Sequence, residues 1–415
     1  MKNRYLKNEK LSVALFFSVA IIYAIIYMTK NCYSAAMVRL VEEGALTKSQ
    51  TGTISAVFYL VYAPFQIIGG FAADKYSPYK LVLIGFIGAA ISNALIVLSD
   101  NYYFMLIVWA FNGIIQFGVW PGVFKIVSSS LVPVHRYNAI FYINFAPTVG
   151  LIMSYVLAGV VSSWQMNFIV SAIALFIASA YWIIAGKHFD KKMVNAEVEI
   201  EAKEDKKEVS EVNIFKLLLT SGLVFALPVV ILQSVFANGI QAVAPSMFKE
   251  SYDSISLSAA SFLTIILVVC GVLGKLFTKV IYRKKIYNEF MTMLICLAII
   301  VPLFAGMMFV GKINVWIMLI LVSLVVLIST TSITVSFIFM CTRFLKMGKA
   351  ATVSGILNAM AALGIVVANY VSPRVADMFN NNWVPVIMVW IGFAAVSAVI
   401  SFIGFFPWRK FIKDK

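Results

Sequence analysis

The sequence is short of charge: 12% of its 415 residues are Asp, Glu, Lys or Arg, against 62% hydrophobic. That is about half the charge of an ordinary soluble domain. A soluble chain of this length needs charge to cover its surface. Here the apolar residues come in blocks of roughly 20 or more, the length that crosses a hydrocarbon core, which excludes a soluble globular fold. Cysteine is scarce as well. Cys32, Cys270, Cys296 and Cys341 lie within or at the ends of apolar blocks, with no paired loop spacing, so they read as packing residues and not as a disulfide framework or zinc site. The acids are few and peripheral: of 18 Asp and Glu, all but Asp74 and Glu289 read as loop or tail, and those two sit at block ends. Proton-coupled symporters commonly bury a carboxylate relay, so this shortage favours exchange or facilitated movement, with sodium coupling through backbone carbonyls left open. The only histidines, His135 and His188, are weak candidates for a relay. There is no nucleophile paired with a base, no phosphate-cradling glycine loop and no metal-ligand cluster. No enzyme activity and no cofactor are expected.

What the chain has in abundance is apolar length. Twelve blocks run at about 11–33, 50–73, 80–98, 103–128, 138–162, 166–187, 214–243, 256–282, 287–310, 314–343, 349–372 and 383–407. Each is expected to be helical, because lipid leaves no other way to satisfy the backbone of a single span. The first follows Lys2, Arg4, Lys7 and Lys10 but lacks a small-residue cleavage site, so it reads as a span and not a signal peptide. The net charge of +15 raises nucleic acid as a partner, and the placement of the bases argues against it. With both termini cytoplasmic, Arg39, Lys48, Lys249, Lys312 and Arg374 fall outside, Lys30 falls within the membrane, and the rest of the 33 Lys and Arg lie in cytoplasmic segments. That is the positive-inside rule, and it makes the lipid bilayer the partner. A charged stretch at 188–213 separates two six-block halves and reads as a solvated linker. The expected domains are 1–187, the linker 188–213, and 214–415.

The halves repeat weakly. After the second block comes Gly70-Phe71-Ala72-Ala73-Asp74-Lys75 and then Pro78 and Lys80; after the eighth come Gly271, Gly274-Lys275 and Lys279. The second copy has no acid matching Asp74. On these residues the chain resembles the major facilitator superfamily, whose loop after the second span has glycine, three residues, aspartate and a base. The resemblance implies an all-α membrane protein of twelve transmembrane helices in two pseudo-symmetric six-helix bundles that rock about a midplane site. It also implies that Asp74 and Lys75 form part of a cytoplasmic gate, the carboxylate facing a helix N-terminus or a nearby base. Within the superfamily, Tyr23, Tyr27 and Lys30-Asn31, Gln116 to Pro121, Asp74 to Pro78, Gly239 to Glu250 and Gly348 to Gly355 are similar to stretches of the organophosphate and inorganic phosphate antiporters. That family grips phosphate with one arginine from each half, since a planar guanidinium meets two oxygens at once. Here Lys30 stands at the first position and Ala237 at the second; Gln66 stands where a lysine is expected and Pro147 where a histidine is. The scaffold matches and the paired clamp does not.

A charge within a span costs ~2.5–3.5 kcal/mol on insertion scales, so such residues usually face a cavity. Lys30 has two readings: a cation facing the substrate path, or a lysine snorkelling at the outer end of its span. It shares a helical face with Tyr23 and Tyr27, which favours the first. Tyr62 and Gln66 on the second block, Asn112, Gln116 and Trp120 on the fourth, Asn144 on the fifth, and Gln233, Asn238 and Gln241 on the seventh are the neutral candidates. Each amide reads equally as glue between helices. Ser329 to Thr334 reads as hydroxyls bonded to their own helix, Lys125 and Arg136 as cytoplasmic anchors, and Arg374 with Asp377 as a surface pair. The implied function is carriage of a small polar, anionic solute (organophosphate, sugar acid or carboxylate) by alternating access. A transporter-like sensor of a sugar phosphate and a carrier of a neutral sugar or nucleoside are the alternatives. The expected partner is a small-molecule substrate, the expected state a monomer, and the expected location a bacterial inner membrane.

Overall fold

The structure, a computed structural model, describes residues 4–195, 214–252, 254–255, 257–284, 288–309, 313–345 and 347–413. Ten of its helices are long and apolar enough to span a bilayer: Glu9–Met37, Gln50–Lys75, Pro78–Leu98, Tyr102–Ser130, Pro133–Val160, Trp164–Lys192, Glu289–Phe309, Val315–Met340, Ala350–Met378 and Val384–Lys413. Ile214–Ser221 and Leu223–Gly239, bent by 85° at their junction, make a further span if taken together, and Phe262–Thr278 is a shorter apolar stretch. Together these answer the twelve blocks of the sequence, and they are named below by that order. Large apolar side chains such as Phe17, Ile107 and Ile184 are exposed on the spans, as a lipid-facing surface requires.

Local chemistry sets the helix ends. Asn8 accepts from the Leu11 N–H at the start of the first helix (Glu9–Glu42). Thr47 and Gln50 form a reciprocal capping box at the start of the second (Lys48–Lys75). Asn101 caps the fourth through the Tyr103 and Phe104 amides, and Pro78 and Pro133 stand in first turns where their missing N–H costs nothing. Thr47→Ala removes one acceptor for an orphan amide, which costs about 1 kcal/mol. A small fall in the melting temperature of the purified protein, with ligand binding unchanged, is the expected outcome; a large fall would show that Thr47 does more than cap.

The seventh span turns sharply because Gly222 has φ +76°, a left-handed conformation that favours glycine, and a Cβ there would lie 2.9 Å from Pro407. The fourth, seventh and tenth spans each contain a π-helical turn, at Ile126–Ser130, Val235–Gly239 and Ser336–Met340. Such turns carry one extra residue and mark functional segments often.

The chain divides into two compact units, Met1–Lys206 with Phe344–Ala359, and Lys207–Arg343 with Met360–Lys415. The first part of the eleventh helix is therefore grouped with the first half of the sequence. In the first unit Tyr33, Phe58, Trp109 and Phe168 pack ring against ring. In the second, Phe236, Phe304 and Trp390 lie in a large buried apolar cluster. Most of the expected linker, 196–213, lies outside the described residues. Its beginning is structured: the sixth helix runs on to Lys192, and Val194–Asn195 pairs antiparallel with Arg4–Tyr5. This two-residue ladder is the one exception to an all-helical fold among the described residues.

Candidate functional site

Lys30 sits within the first helix and is only 8% exposed. Its Nζ lies 3.9 Å from the ring centre of Tyr62, 5.2 Å from Tyr59, 5.3 Å from Tyr27 and 5.4 Å from Phe58. Four aromatic faces around one ammonium form a cation–π cage, with each contact of order 0.5–2 kcal/mol when desolvated. Among the described residues no carboxylate pairs with Lys30 and no side chain or carbonyl accepts from it. A snorkelling lysine leaves its head in water; this one keeps its head among the rings. Tyr23, one turn before Tyr27, lies against it edge to face at 5.1 Å, and stacks on Trp120 of the fourth span at 5.6 Å. The Trp120 indole N–H is buried and has no acceptor.

The second span joins this group to the eleventh. The Asn358 amide donates to Tyr62 Oη at 3.1 Å and to Gln66 Oε1 at 2.9 Å. Gln66 Nε2 in turn donates to the Gln116 and Phe117 carbonyls, both at 3.2 Å. Those carbonyls belong to the 3-10 turn Gln116–Gly118, which breaks the regular bonding of the fourth span. The approach is close because Gly69 has no side chain: a Cβ there would lie 1.8 Å from the Phe117 oxygen. Gln116 also donates to Asn112 at 2.9 Å. Lys30, Tyr23, Tyr27, Tyr62, Gln66, Gln116 and Trp120 thus fall in one connected region of the first unit. Gln66 and Gln116 have their amides spent on neighbours. Asn144 of the fifth span bonds the Ile140 carbonyl of its own helix at 2.8 Å.

In the second unit, Asn238 is exposed and donates to Ser234 Oγ at 3.2 Å, and Gln241 donates to the Ala237 carbonyl at 2.5 Å. Gln233 is wholly buried with neither end of its amide partnered.

The Asp74 carboxylate, only 8% exposed, faces both groups that the resemblance implied. Oδ2 accepts from the Thr352 N–H at 2.7 Å and the Thr352 hydroxyl at 2.6 Å, in the first turn of the eleventh helix. Oδ1 pairs with Lys125 Nζ at 3.2 Å. A carboxylate at a helix N-terminus meets unpaired amides and the positive end of the dipole. Lys125 is therefore an ion-pair partner and not merely an anchor. Lys75, beside Asp74, is exposed, with its Nζ 5.9 Å from the Tyr76 ring centre. Arg136 donates to the Leu131 carbonyl at 2.8 Å. Arg374 lies over the Tyr370 ring at 3.4 Å, and no ion pair with Asp377 is found among the described residues.

The second unit has a buried ion pair of its own. Glu289 accepts from Arg343 Nε at 2.9 Å, from Tyr282 Oη at 2.8 Å and from the Trp408 indole at 2.8 Å. Sequence reasoning placed Glu289 only at a span end and missed Arg343, Tyr282, Thr352 and Asn358. A lone amide or base at a helix terminus carries no signal of what it meets across the fold.

Spanning helices with polar side chains held inside each unit define a polytopic membrane protein. The chain belongs to the Major Facilitator Superfamily, whose family profile matches residues 19–369. A "Probable hexose phosphate transport protein" of Chlamydia trachomatis is 29% identical over 107 residues, 26% of this chain and 24% of that protein. The "Membrane sensor protein UhpC" of Escherichia coli is 27% identical over 94 residues, 23% and 21% of the two chains. The "Hexuronate transporter" of Bacillus subtilis is 24% identical over 178 residues, 42% of each. The matched region thus spans less than half the length of these relatives. The fold is that of a crystal structure of the transporter FucP in its outward conformation, with a TM-score of 0.69 at 13% identity over 95% of this chain and 99% of that one. The expected fold and the expected likeness to hexose phosphate carriers are both met.

Proposed function

We propose that this protein carries a small hydroxylated anion (a sugar acid, an organophosphate or a carboxylate) across a bacterial inner membrane by alternating access, with its termini cytoplasmic. The observation that carries the reading is Lys30: a buried ammonium, caged by four rings, with no carboxylate partner among the described residues. Cation–π contacts hold the ammonium without neutralising it, and its three N–H donors meet no acceptor among the described residues, so an entering anion supplies both charge and hydrogen bonds. Tyr23, Tyr27, Tyr62 and Trp120 shape the wall around that anion, and Gln66, Gln116 and Asn144 support it; Asn238 and Gln241 are proposed as the solute-binding residues of the second unit. Asp74 and Lys75, with Lys125 and Thr352, form the gate. The likeness to hexose phosphate and hexuronate transporters supports an anionic solute, since the substrates those proteins are named for are both anions.

The test is thermal stabilisation of the purified protein by sugar phosphates, sugar acids, small carboxylates and neutral sugars, because a ligand that binds only the folded state raises its melting temperature. At least one anion is expected to stabilise the parent. Lys30→Met keeps the apolar stem, removes one charged hydrogen-bonding group worth about 1.5–3 kcal/mol, and is expected to weaken binding roughly ten- to hundredfold. Stabilisation by neutral sugars alone, equal in parent and variant, would overturn the role of Lys30. The likeness to UhpC favours a second reading, a sensor. Uptake of the stabilising anion into vesicles supports the carrier; tight binding without flux supports the sensor.

A further inference from the structure

Among the described residues Lys30 makes no hydrogen bond or ion pair that would fix its direction, so the rotation of the first helix (Glu9–Glu42) decides where the ammonium points. That rotation is held from behind. Cys32, two residues on, lies about 200° around the helix from Lys30 and is fully buried. There the Asn167 side chain of the sixth span, also buried, donates to the Cys32 carbonyl at 2.8 Å. The Cys32 thiol lies 2.8 Å from the Thr29 carbonyl of its own helix and 3.3 Å from Asn93 Oδ1 of the third span.

A second polar contact continues the first. Ser18 Oγ and Tyr181 Oη lie 2.6 Å apart. Ser18 and Cys32 are about four turns apart on the first helix, and Tyr181 and Asn167 are separated by the same number of residues on the sixth (Trp164–Lys192). One antiparallel register thus carries both contacts, and it holds to the sixth helix the face opposite Lys30. The fifth helix meets the first at Gly150, where a Cβ would lie 2.3 Å from the Ala24 oxygen and 2.7 Å from Tyr27 Cβ. A glycine brings two backbones together and offers no side chain to set rotation.

The Asn167 bond is not needed to satisfy the backbone. The Cys32 carbonyl lies inside its helix, where an amide four residues on already donates to it. Asn167 Oδ1, meanwhile, is buried with no partner. An unpaired buried carbonyl costs free energy, so an apolar side chain of the same size would hold the helices together at least as well. What the amide adds is direction.

We propose that Asn167 is a positioning residue for anion binding: its bond to the Cys32 carbonyl fixes the rotation of the first helix that presents Lys30 to the ring cage. Fixing register is the best-attested use of a buried polar group whose removal leaves stability intact. A binding group must be held within about 0.5 Å of its working geometry, and Lys30 has only its helix and the rings to hold it. The inference rests on the anion-carrier reading of Lys30 and adds the residue that aims it.

The test compares the purified full chain with Asn167→Leu, Lys30→Met and the double variant, using gluconate and glucose 6-phosphate as ligands. Asn167→Leu keeps the size and removes an unpaired carbonyl. It is expected to melt at or above the parent temperature and to bind the anion about tenfold more weakly, the size of coupling typical of interacting residues. Asn167→Ala, which cannot clash, is expected to bind as weakly. In the Lys30→Met background Asn167→Leu is expected to change affinity little. A loss by the same factor in both backgrounds, with a fall in melting temperature, would mean a structural role only and overturns the inference. Parent-like affinity of Asn167→Leu, where Lys30→Met weakens binding, overturns it too and leaves the anion reading standing. A reading without ligand separates the two: Lys30→Cys is labelled with an aqueous thiol reagent, with and without Asn167→Leu, against the labelling of the parent. Where neither anion binds, or Lys30→Met changes nothing, the anion reading falls and this rate alone decides. A severalfold shift upholds the positioning of residue 30 by Asn167; an unchanged rate overturns it.

Discussion

Glu289→Ala is expected to lower the stability of the purified protein by about 3 kcal/mol, toward the low end of the 3–5 kcal/mol seen when one partner of a buried ion pair is removed. The Glu289 side chain is fully buried, and its two oxygens receive Arg343, Tyr282 and Trp408. Arg343 donates a second bond to Tyr282 Oη at 3.0 Å, so the phenol accepts from the guanidinium and donates to the carboxylate. One acid thus ties the end of the eighth span, the start of the ninth, the turn after the tenth and the end of the twelfth. Alanine removes the carboxylate to which a guanidinium, a phenol and an indole all donate. Arg343 is 24% exposed, so water recovers part of the loss, which sets the lower figure. Glu289→Gln keeps an acceptor and loses the charge, and is expected to fall between. Adding Arg343→Met to Glu289→Ala removes the charge that had faced the carboxylate and is expected to recover part of the stability, the interaction that a double-mutant cycle isolates. A thermal shift no larger than that of an exposed substitution would show that the network contributes specificity of packing and not stability.

The sequence carried the fold because lipid forces one reading: a block of about 20 apolar residues is a helix, and twelve of them separated by basic turns leave few alternatives. It carried Lys30 for the same reason, since a charge inside a block stands out, and Tyr23 and Tyr27 followed from helical spacing. It did not carry the rotation of each helix. In a soluble protein the apolar stripe shows which face is inward; here lipid and protein interior are equally apolar, and a half-buried Asn358 looks like any other amide in a span. Tyr59 and Phe58, half of the cage around Lys30, were invisible for that reason. The Asp74 and Thr352 contact joins residues 278 positions apart, and nothing local in Thr352 marks it. The hydroxyl cluster of the tenth span shows the limit most directly. The back-bonded reading fits Ser329, Thr331 and Thr334, and nothing in the sequence sets apart Thr330, whose hydroxyl is buried without a partner.

Asp74→Ala is expected to reduce transport by a larger factor than any change in ligand affinity. The carboxylate makes two charge-assisted bonds to Thr352 and one ion pair to Lys125. Hydrogen bonds to a charged group are worth about 1.5–3 kcal/mol each, so the two Thr352 bonds alone hold the first turn of the eleventh helix by roughly 3 kcal/mol. At 1.4 kcal/mol per tenfold, losing them shifts a two-state equilibrium by on the order of a hundredfold. An alternating carrier needs both states within reach, so a shift of that size slows the cycle. The proposed anion ligand is Lys30 of the first span instead, whose Nζ lies over Tyr62, three turns or so along the second span from Asp74, so its affinity is expected to stay within a few-fold of the parent. Thr352→Val removes the hydroxyl bond and keeps the backbone one, and is expected to cost about a tenfold shift. Lys125→Met loses a partly exposed pair and is expected to cost less. The ranking, alanine at 74 above valine at 352 above methionine at 125, is read from exchange rates in vesicles containing equal amounts of folded protein. A carrier with alanine at position 74 that exchanges at the parent rate would mean that this contact holds the helix end in place without gating anything.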